Sequence, residues 1–452
     1  MTNMTYNFLH LTNYKDIPNW SVQYVDEEDL GFTKKYPMAR IGAFLTRRKE
    51  AIDIQDGIIY KRVTVSTKGG NITIRDEKDG KLIGTKKQFV IHEGQFLLSK
   101  IDARNGAYGV VPAIAEGAII TGNFWTYDVD YERINPQFLT LVTKTQQFLD
   151  FAEKSSNGTT NRHYLQEEAF LNQQIPLPSV EEQKEILNEY NEKVKVADSL
   201  LQQADDIKNG KNTYLKKVLK FNYNKNEREG LLKFLHFVDV RRWDVPFYSS
   251  LSKIESMYDT TTLGNCIELY MIDNNHHSLR METYNTPEKQ FHYIGMENVE
   301  KDTGVLNSFP IVNGKSIKSQ TVRIPKGFMI FGKLRPYLNK YWENSEGYDD
   351  IVCSSEFLCF LPKKELNKSF FKFILSSYII QEQIADSMTG ARMPRIDENI
   401  FKNIVVPIPP RNVQDSISKY LMEREKVVSR LKCESKVLKE SAINIFLTKI
   451  FA

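Results

Sequence analysis

The chain has 452 residues, of which 41% are hydrophobic and 26% charged, and its formal net charge is only +4. That length predicts two or more domains with a sizeable core each, and so even a charge balance does not announce a nucleic-acid binder, although a sum hides how charges are distributed. Four cysteines exclude a disulfide framework and fit a reducing cytoplasm, the N-terminus has no basic-then-apolar signal pattern, and no apolar run approaches the ~18 residues of a membrane span.

In chain order, short β-like runs come first: IIYKRVTVS (Ile58–Ser66), KKQFVI (Lys86–Ile91) and QFLLSKI (Gln95–Ile101). A helical stretch, Asn135–Ser155, follows, with apolar residues at three- and four-residue steps. Then come a polar glycine loop, SSNGTTNRHY (Ser155–Tyr164), and the segment NQQIPLPSVEEQKEIL (Asn172–Leu187), in which a P-x-P pair leads into a helix. Ser179 suits the N-cap of that helix, with Glu182 and Gln183 in its first turn. Leu187, Tyr190, Val194, Ala197, Leu201 and Ala204 step by three and four, which is a coiled-coil seam that Gly210 interrupts.

The second half repeats the order. FHYIGM (Phe291–Met296), QTVRI (Gln320–Ile324) and GFMIFGKL (Gly327–Leu334) are the β-like runs, and Asn367–Met388 is the helical stretch. SMTGARMPRI (Ser387–Ile396) is the glycine loop, and NIVVPIPPRNVQDSI (Asn403–Ile417) is the P-x-P exit. Ile417, Tyr420, Val427 and Leu431 hold the seam, continued by Leu438, Ala442 and Ile445. Gly94–Ile101 lies over Gly327–Leu334, ITGNFW over CSSEFL, and Phe138 over Phe371. The period is too long for a solenoid and predicts duplication of a whole domain plus connector, with halves of roughly 1–222 and 223–452. Each long helix needs a partner for its apolar stripe, and the other copy's helix is the natural one; two separate surface helices are the alternative.

A β-rich domain, a glycine loop, an I-P-L-P-x-x-E-E-Q exit and a long helix, all written twice, resemble the specificity (S) subunit of type I restriction–modification systems. The carriers are QIPLPSVEEQKEIL, VVPIPPRNVQDSI, GQFLLSKIDAR and GFMIFGKLRP, and the second exit departs at Arg411-Asn412-Val413. The resemblance implies an α+β fold: two similar β-rich target recognition domains, separated by two long antiparallel helices that form a coiled-coil spacer, with a pseudo-two-fold internal repeat. The expected division is 1–178 for the first recognition domain, 179–222 for the first spacer helix, 223–409 for the second domain and 410–452 for the second helix. Each domain would read one half of a bipartite double-stranded DNA target. The helices would set the spacing and dock two methyltransferase subunits, joined by restriction/translocase subunits. No cofactor is expected in this chain; the partners would use S-adenosylmethionine, ATP and Mg. A prokaryotic cytoplasmic location without membrane association follows.

Contacts to DNA need phosphate cations and base-edge donors. In the first copy these are Lys100, Arg104 and Asn105 at the strand exit, and Thr159, Thr160, Asn161, Arg162, His163 and Tyr164 in the glycine loop. In the second they are Lys333, Arg335 and Tyr337 at the exit, and Arg392, Met393 and Arg395 in the loop. Arg suits guanine, Asn suits adenine, and Thr or Met suits the thymine methyl. For any one of them the other reading is a solvated loop cation. The strip Lys61-Arg62, Lys68, Arg75, Lys78, Lys81, Lys86-Lys87 is either a phosphate-facing ribbon or a solvated hairpin face.

Motifs for self-contained catalysis fail. Asn313-Gly314-Lys315-Ser316 lacks the first glycine of a phosphate loop, since Phe309 stands there. No N/D-P-P-Y/F methyltransferase tetrapeptide occurs. Asp76-Glu77-Lys78 and Asp79-Gly80-Lys81 read as a hairpin tip, and Cys353 and Cys359 lack zinc spacing. A DNA sequence reader is favoured over a nuclease or modification enzyme, with a coiled-coil interaction scaffold lacking sequence-specific DNA binding as the alternative. Replacing Arg162 and Arg392 together is expected to cut binding to cognate DNA in an electrophoretic shift assay, with assembly onto the modification subunits intact. Unchanged binding would contradict the loop assignment.

Overall fold

The computed structural model describes residues 30–67, 71–157, 164–224, 253–270, 280–281, 286–348, 350–388 and 393–452. The chain divides into two compact units. The first is Met1–Leu200 with Cys433–Ala452, and the second is Leu201–Lys432. The division falls inside both long helices, Val180–Leu219 and Arg411–Phe451, so each unit contains a stretch of each.

In the first unit the strands are β1 (Met38–Arg40), β2 (Leu45–Arg48), β3 (Ala51–Asp53), β4 (Ile59–Val65), β5 (Ile72–Asp79), β6 (Lys87–Val90), β7 (Phe96–Ser99), β8 (Tyr108–Val110), β9 (Ile119–Ile120), β10 (Phe124–Val129), β11 (Ser156–Asn157), β12 (Tyr164–Leu165) and β13 (Gln174–Pro176). They form sheets of order β2-β10-β7-β8 and β3-β6-β9-β4-β5, with β1 pairing β13 and β11 pairing β12. The second unit has β14 (Asn222–Asn224), β15 (Lys253–Glu255), β16 (Thr260–Thr262), β17 (Ile267–Leu269), β18 (Arg280–Met281), β19 (Gln290–Ile294), β20 (Ile311–Asn313), β21 (Thr321–Arg323), β22 (Met329–Gly332), β23 (Tyr341–Glu343), β24 (Ile351–Ser354), β25 (Phe357–Pro362) and β26 (Val405–Pro407). Its sheets have the orders β17-β25-β22-β23 and β18-β21-β24-β19-β20, with β16 pairing β26 and β14 pairing β15. Apart from the small pairs β11–β12 and β14–β15, the match is strand for strand. It includes the single parallel pairing in each five-stranded sheet, β4 with β9 and β19 with β24.

The apolar runs at β7 and β22 now have a reason. Every residue of both strands is buried. Phe96 and Leu98 enter the main core of the first unit while Leu97 enters a second cluster on the opposite face. Met329 and Phe331 divide from Ile330 in the same way. A strand covered on both faces needs no polar alternation.

Each predicted helical stretch is two helices, Pro136–Thr143 with Gln146–Lys154 and Lys368–Leu375 with Tyr378–Ser387. The breaks fall where Thr145 and Ser377 cap the second helix, their hydroxyls accepting from the N–H of Phe148 and Ile379. By cap position Phe138 corresponds to Phe370, one residue from the match with Phe371, because Asn135 and Asn367 are the respective N-caps. Gly210 does not interrupt the helix, which runs from Val180 to Leu219, since one glycine costs only about 1 kcal/mol. Asp76-Glu77-Lys78 lie within the strand β5; the turn begins at Asp79, whose carboxylate accepts from the N–H of Lys81.

The repeated exit motif is explained by its glutamine. Gln183 is fully buried, and its Nε2 donates to the carbonyls of Pro178 (2.9 Å) and Arg133 (3.0 Å). Its Oε1 accepts from the N–H of Asn135 at 2.7 Å. Gln414 repeats this: Nε2 to the Pro409 carbonyl (2.9 Å), and Oε1 from the N–H of Asn367 (2.9 Å). Each glutamine therefore ties the first turn of a long helix to the residue that caps another helix of the same domain. Ser179 and Glu182 complete a capping box beside Gln183.

The long helices run antiparallel where they pair. In the first unit Ser435 Oγ donates to the carbonyl of Ala197 (2.7 Å), Lys439 pairs with Asp198 (2.7 Å), and Lys449 lies 3.7 Å from Glu189. In the second, Tyr214 stacks on Tyr420 with ring centroids 4.1 Å apart. The predicted seam residues Leu187, Ala197, Ala204, Ile417, Leu431 and Ala442 are buried. Of these, Leu187 joins the first unit's core together with Ile186, Phe446 and Ile450, and Ile417 joins the second's together with Leu215, Leu219 and Leu421.

Gln183→Met keeps the volume but removes the partner of three buried or part-buried backbone groups, at about 1 kcal/mol each, so urea unfolding should show a loss of about 3 kcal/mol; a change under about 0.5 kcal/mol would contradict the clamp. Elsewhere His92 bridges Glu116 (Nδ1, 2.7 Å) and Glu50 (Nε2, 3.2 Å), and these carboxylates, Glu116 foremost, hold its imidazole above the usual range. The stability this adds is complete below the ordinary histidine pKa of about 6.5 and is lost as pH rises through the raised value. His92→Gln should therefore flatten the fall in melting temperature as pH rises from about 6 to 8.

Candidate nucleic-acid interface

In both units the strand-exit lysine is a junction. The Lys100 N–H donates to the carbonyl of Asn123 (2.9 Å), and its own carbonyl accepts from Leu165 N–H (3.0 Å). The Lys333 N–H donates to the carbonyl of Glu356 (2.7 Å), and its carbonyl accepts from Ile396 N–H (3.1 Å). The chain that returns from each glycine loop is thereby fastened to the exit of the central strand. Two candidate clusters far apart in sequence become one.

In the first unit this joins Lys100 to Tyr164, which lies in β12 opposite Asn157. Thr159, Thr160, Asn161, Arg162 and His163 lie outside the described residues. Lys100 sits over the Trp125 ring at 5.4 Å, and burial, then nearby Arg47, lowers its pKa. Arg104 and Asn105 occupy the short turn after the strand. Arg104 lies 3.8 Å from Glu153, and Asn105 is exposed, with a long contact of 3.4 Å to Asp102.

In the second unit Lys333, Arg335, Tyr337, Met393 and Arg395 converge. Leu334 bridges to Arg395, and the Arg335 N–H donates to the Pro394 carbonyl (2.7 Å). Arg335 (φ 48) and Asn339 (φ 47) bracket the turn Pro336–Leu338, both in the left-handed region. That conformation costs roughly 1–2 kcal/mol for a residue with a side chain, and such strain is characteristic of functional turns. It leaves Arg335 exposed beside Tyr337 (45% exposed) and Met393 (52% exposed). Arg395 is held by Glu356, with Nη2–Oε1 at 3.1 Å and Nε–Oε2 at 3.2 Å. Arg392 lies outside the described residues.

Sequence reading missed Arg47. Its guanidinium stacks over Trp125 (5.4 Å) and Tyr127 (5.2 Å) and lies 3.2 Å from Glu167, which also accepts from Tyr127 OH at 3.0 Å. The Arg47-Arg48 doublet was the available signal, but it gave no hint of aromatic partners. In register, Arg47 faces Tyr127, whereas Leu269 faces Phe360 in the other copy. The same frame carries a cation on an aromatic in one unit and an apolar pair in the other.

Apart from Lys68, which lies outside the described residues, the basic strip maps onto β4, β5, the turn after β5 and the start of β6. Arg62 is paired with Asp76 (Nε–Oδ1 2.7 Å) and Lys86 with Asp56 (2.7 Å), so part of its charge is already neutralised. Gly314-Lys315-Ser316 is one 3-10 turn, too short for a phosphate loop's helix. Among the described residues no three His, Cys, Asp or Glu side chains are grouped to hold a metal, and no helix is long and apolar enough to cross a membrane.

The family model for the type I restriction modification DNA specificity domain matches residues 24–189 and again 282–434. The chain belongs to that family. Its duplicated specificity domain makes it a DNA sequence-specificity subunit of a type I restriction–modification system, with DNA and other subunits of that system as partners. The family is one of DNA specificity and not of catalysis, and a scaffold without sequence-specific binding is not favoured. Similar solved structures include a chain from work on complex assembly and conformational transition of the type I R-M system (17% identity, TM-score 0.49, covering 92% of this chain and 97% of that one). Others are the HsdS subunit from Thermoanaerobacter tengcongensis (15%, 0.37, covering 93% and 97%) and the type I restriction–modification S subunit from M. genitalium (13%, 0.41, covering 92% and 97%). No curated protein matches.

Arg335→Gln is expected to weaken specific DNA binding and, where it contacts phosphate, to lower the slope of log K against log salt by about 0.9. Arg395→Gln should cost less, because Glu356 already engages that guanidinium. The reverse ranking in salt-resolved fluorescence anisotropy would overturn this ordering.

Proposed function

We propose that each unit reads one half of a bipartite DNA target through the junction at its strand-exit lysine. The observation that carries this reading is the shared backbone frame at Lys100 and Lys333 with unlike side chains around it. A common frame gives both domains one way of approaching a duplex, and unlike side chains give two different half-sites. Phosphate contacts position such a domain and base-edge contacts specify its sequence. Arg335, Tyr337 and Met393 suit both tasks in the second unit, and Lys100 with Tyr164 in the first.

In this reading the antiparallel helices set the distance between half-sites. Helices of 40 and 41 residues are each about 60 Å long at 1.5 Å per residue. Half-sites about one duplex turn apart, roughly 34 Å, would present on one face of DNA. The solvent-facing sides of the helices dock two adenine methyltransferase subunits, and restriction/translocase subunits join them. S-adenosylmethionine, ATP and Mg serve those partners and not this chain. The assembly works in a prokaryotic cytoplasm.

Methylome sequencing of a host carrying the complete system tests this. The expected result is methylated adenines within a split motif that disappears when this gene is deleted. Methylation that persists without the gene would overturn the reading.

A further inference from the structure

The second unit contains a cleft of about 340 Å³ that DNA reading does not use. Its walls are the two long helices, the segment Glu300–Val305 between β19 and β20, Tyr341 of β23, and Lys372-Phe373 of the helix Lys368–Leu375. Five cations line it: Lys208, Lys211, Lys372, Arg424 and Lys432. Three carboxylates, Glu300, Asp302 and Glu425, also reach it. None of the five cations has an ion-pair partner within 4.0 Å among the described residues. Lys211 instead donates to the carbonyl (2.8 Å) and hydroxyl (3.0 Å) of Ser376, and Arg424 lies over the Tyr420 ring at 4.9 Å. Burial pushes Lys211 down to about 8, which still leaves it mostly charged at neutral pH. The five cations outnumber the three carboxylates, so the cleft keeps an excess of positive charge that an anion placed among them would offset.

The other copy shows that the fold does not require this charge. Aligned on the buried glutamines, Lys211 corresponds to Ala442, which is fully buried, and Glu425 to Val194. Aligned on the helix N-caps, Lys372 corresponds to Thr140, whose hydroxyl donates to its own helix at Pro136. The segment carrying Glu300 and Asp302 is also particular to this copy, since β19–β20 spans residues 295–310 where β4–β5 spans 66–71. Asp302 (φ 63) and Gly304 (φ 70) turn that segment, and both line the cleft. Its volume falls within the range of small-molecule sites, about 300–1,000 Å³.

We propose that this cleft binds a free, small phosphorylated molecule of about mononucleotide size, its phosphate among Lys211, Lys372 and Arg424 and its body against Val428, Leu421 and Phe373. Lysine serves phosphate as a point charge and arginine as a fork, and the mix found here fits a compact multivalent anion. The same chemistry on a DNA backbone is the competing source of phosphate.

Isothermal titration of the full-length chain with AMP and with inorganic pyrophosphate tests the proposal. At least one should saturate a single site, with Kd raised about tenfold or more by Lys211→Met and by Lys372→Gln, and largely restored by Lys211→Arg. Lys34→Gln, at an exposed lysine of the first unit, should leave binding unchanged. Melting curves for each variant establish that it folds; should Lys211→Met fail to fold, Lys372→Gln and Arg424→Gln carry the same test. Absence of saturable binding for both probes, or binding unaffected by the cleft variants, overturns the proposal. Stoichiometric displacement of the bound probe by a short duplex overturns the free-ligand assignment.

Discussion

A buried side-chain amide holds each half of this protein together. Gln183 and Gln414 sit one turn into the long helices with almost no exposure, and each bonds both to the carbonyl of the proline that follows the exit strand, Pro178 or Pro409, and to the backbone N–H of an asparagine that caps another helix. Because three elements meet at one amide, the direction in which a long helix leaves its own domain is set by hydrogen-bond geometry and not by loose packing. A buried amide that lost its partners would be costly, so the arrangement is all-or-none. The proline pair works with it: Pro176 and Pro407 end short strands that pair with β1 and β16, and the chain cannot extend the ladder further.

The duplication preserves backbone relationships and lets side chains drift. Sheet orders, the parallel pair and the lysine junction recur, whereas Arg47, Trp125 and Tyr127 of one copy face the same register positions as Leu269, Leu358 and Phe360 of the other. That division of labour suits a sequence reader. The frame dictates how a duplex is approached, and the variable side chains dictate which bases are accepted. The cleft near Lys211 shows the same freedom put to another use, since one copy closes the position with Ala442 and the other lines it with charge.

Much of the fold was legible because the strongest signals are local. The apolar runs at Phe96–Ser99 and Met329–Gly332, the capping Ser179 and the seam periodicity each report a neighbourhood within one element. The helix breaks at Thr145 and Ser377 were less legible, because a threonine or serine inside an apolar period reads as helix until its cap bond is seen. Gly210 misled in the opposite direction, as a glycine that the flanking turns tolerate. At the candidate interface, the lysines and arginines were visible as residue types. Their joining across more than sixty residues by the Leu165–Lys100 and Ile396–Lys333 bonds was not, because it is a contact of tertiary structure. Arg47 was missed for the same reason: its aromatic partners lie on a strand nearly eighty residues away. The glycine loops themselves lie largely outside the described residues, so the placement of Arg162 and Arg392 rests on sequence.

The most direct measurement is selection of duplexes from a randomised pool by the assembled complex, comparing the wild-type chain with one altered only at Arg335, Tyr337 and Met393. Two independent reading heads on one frame predict two short blocks of fixed bases with unspecified bases between them, and a change confined to one block. A single contiguous motif, or simultaneous loss of both blocks, would contradict the account.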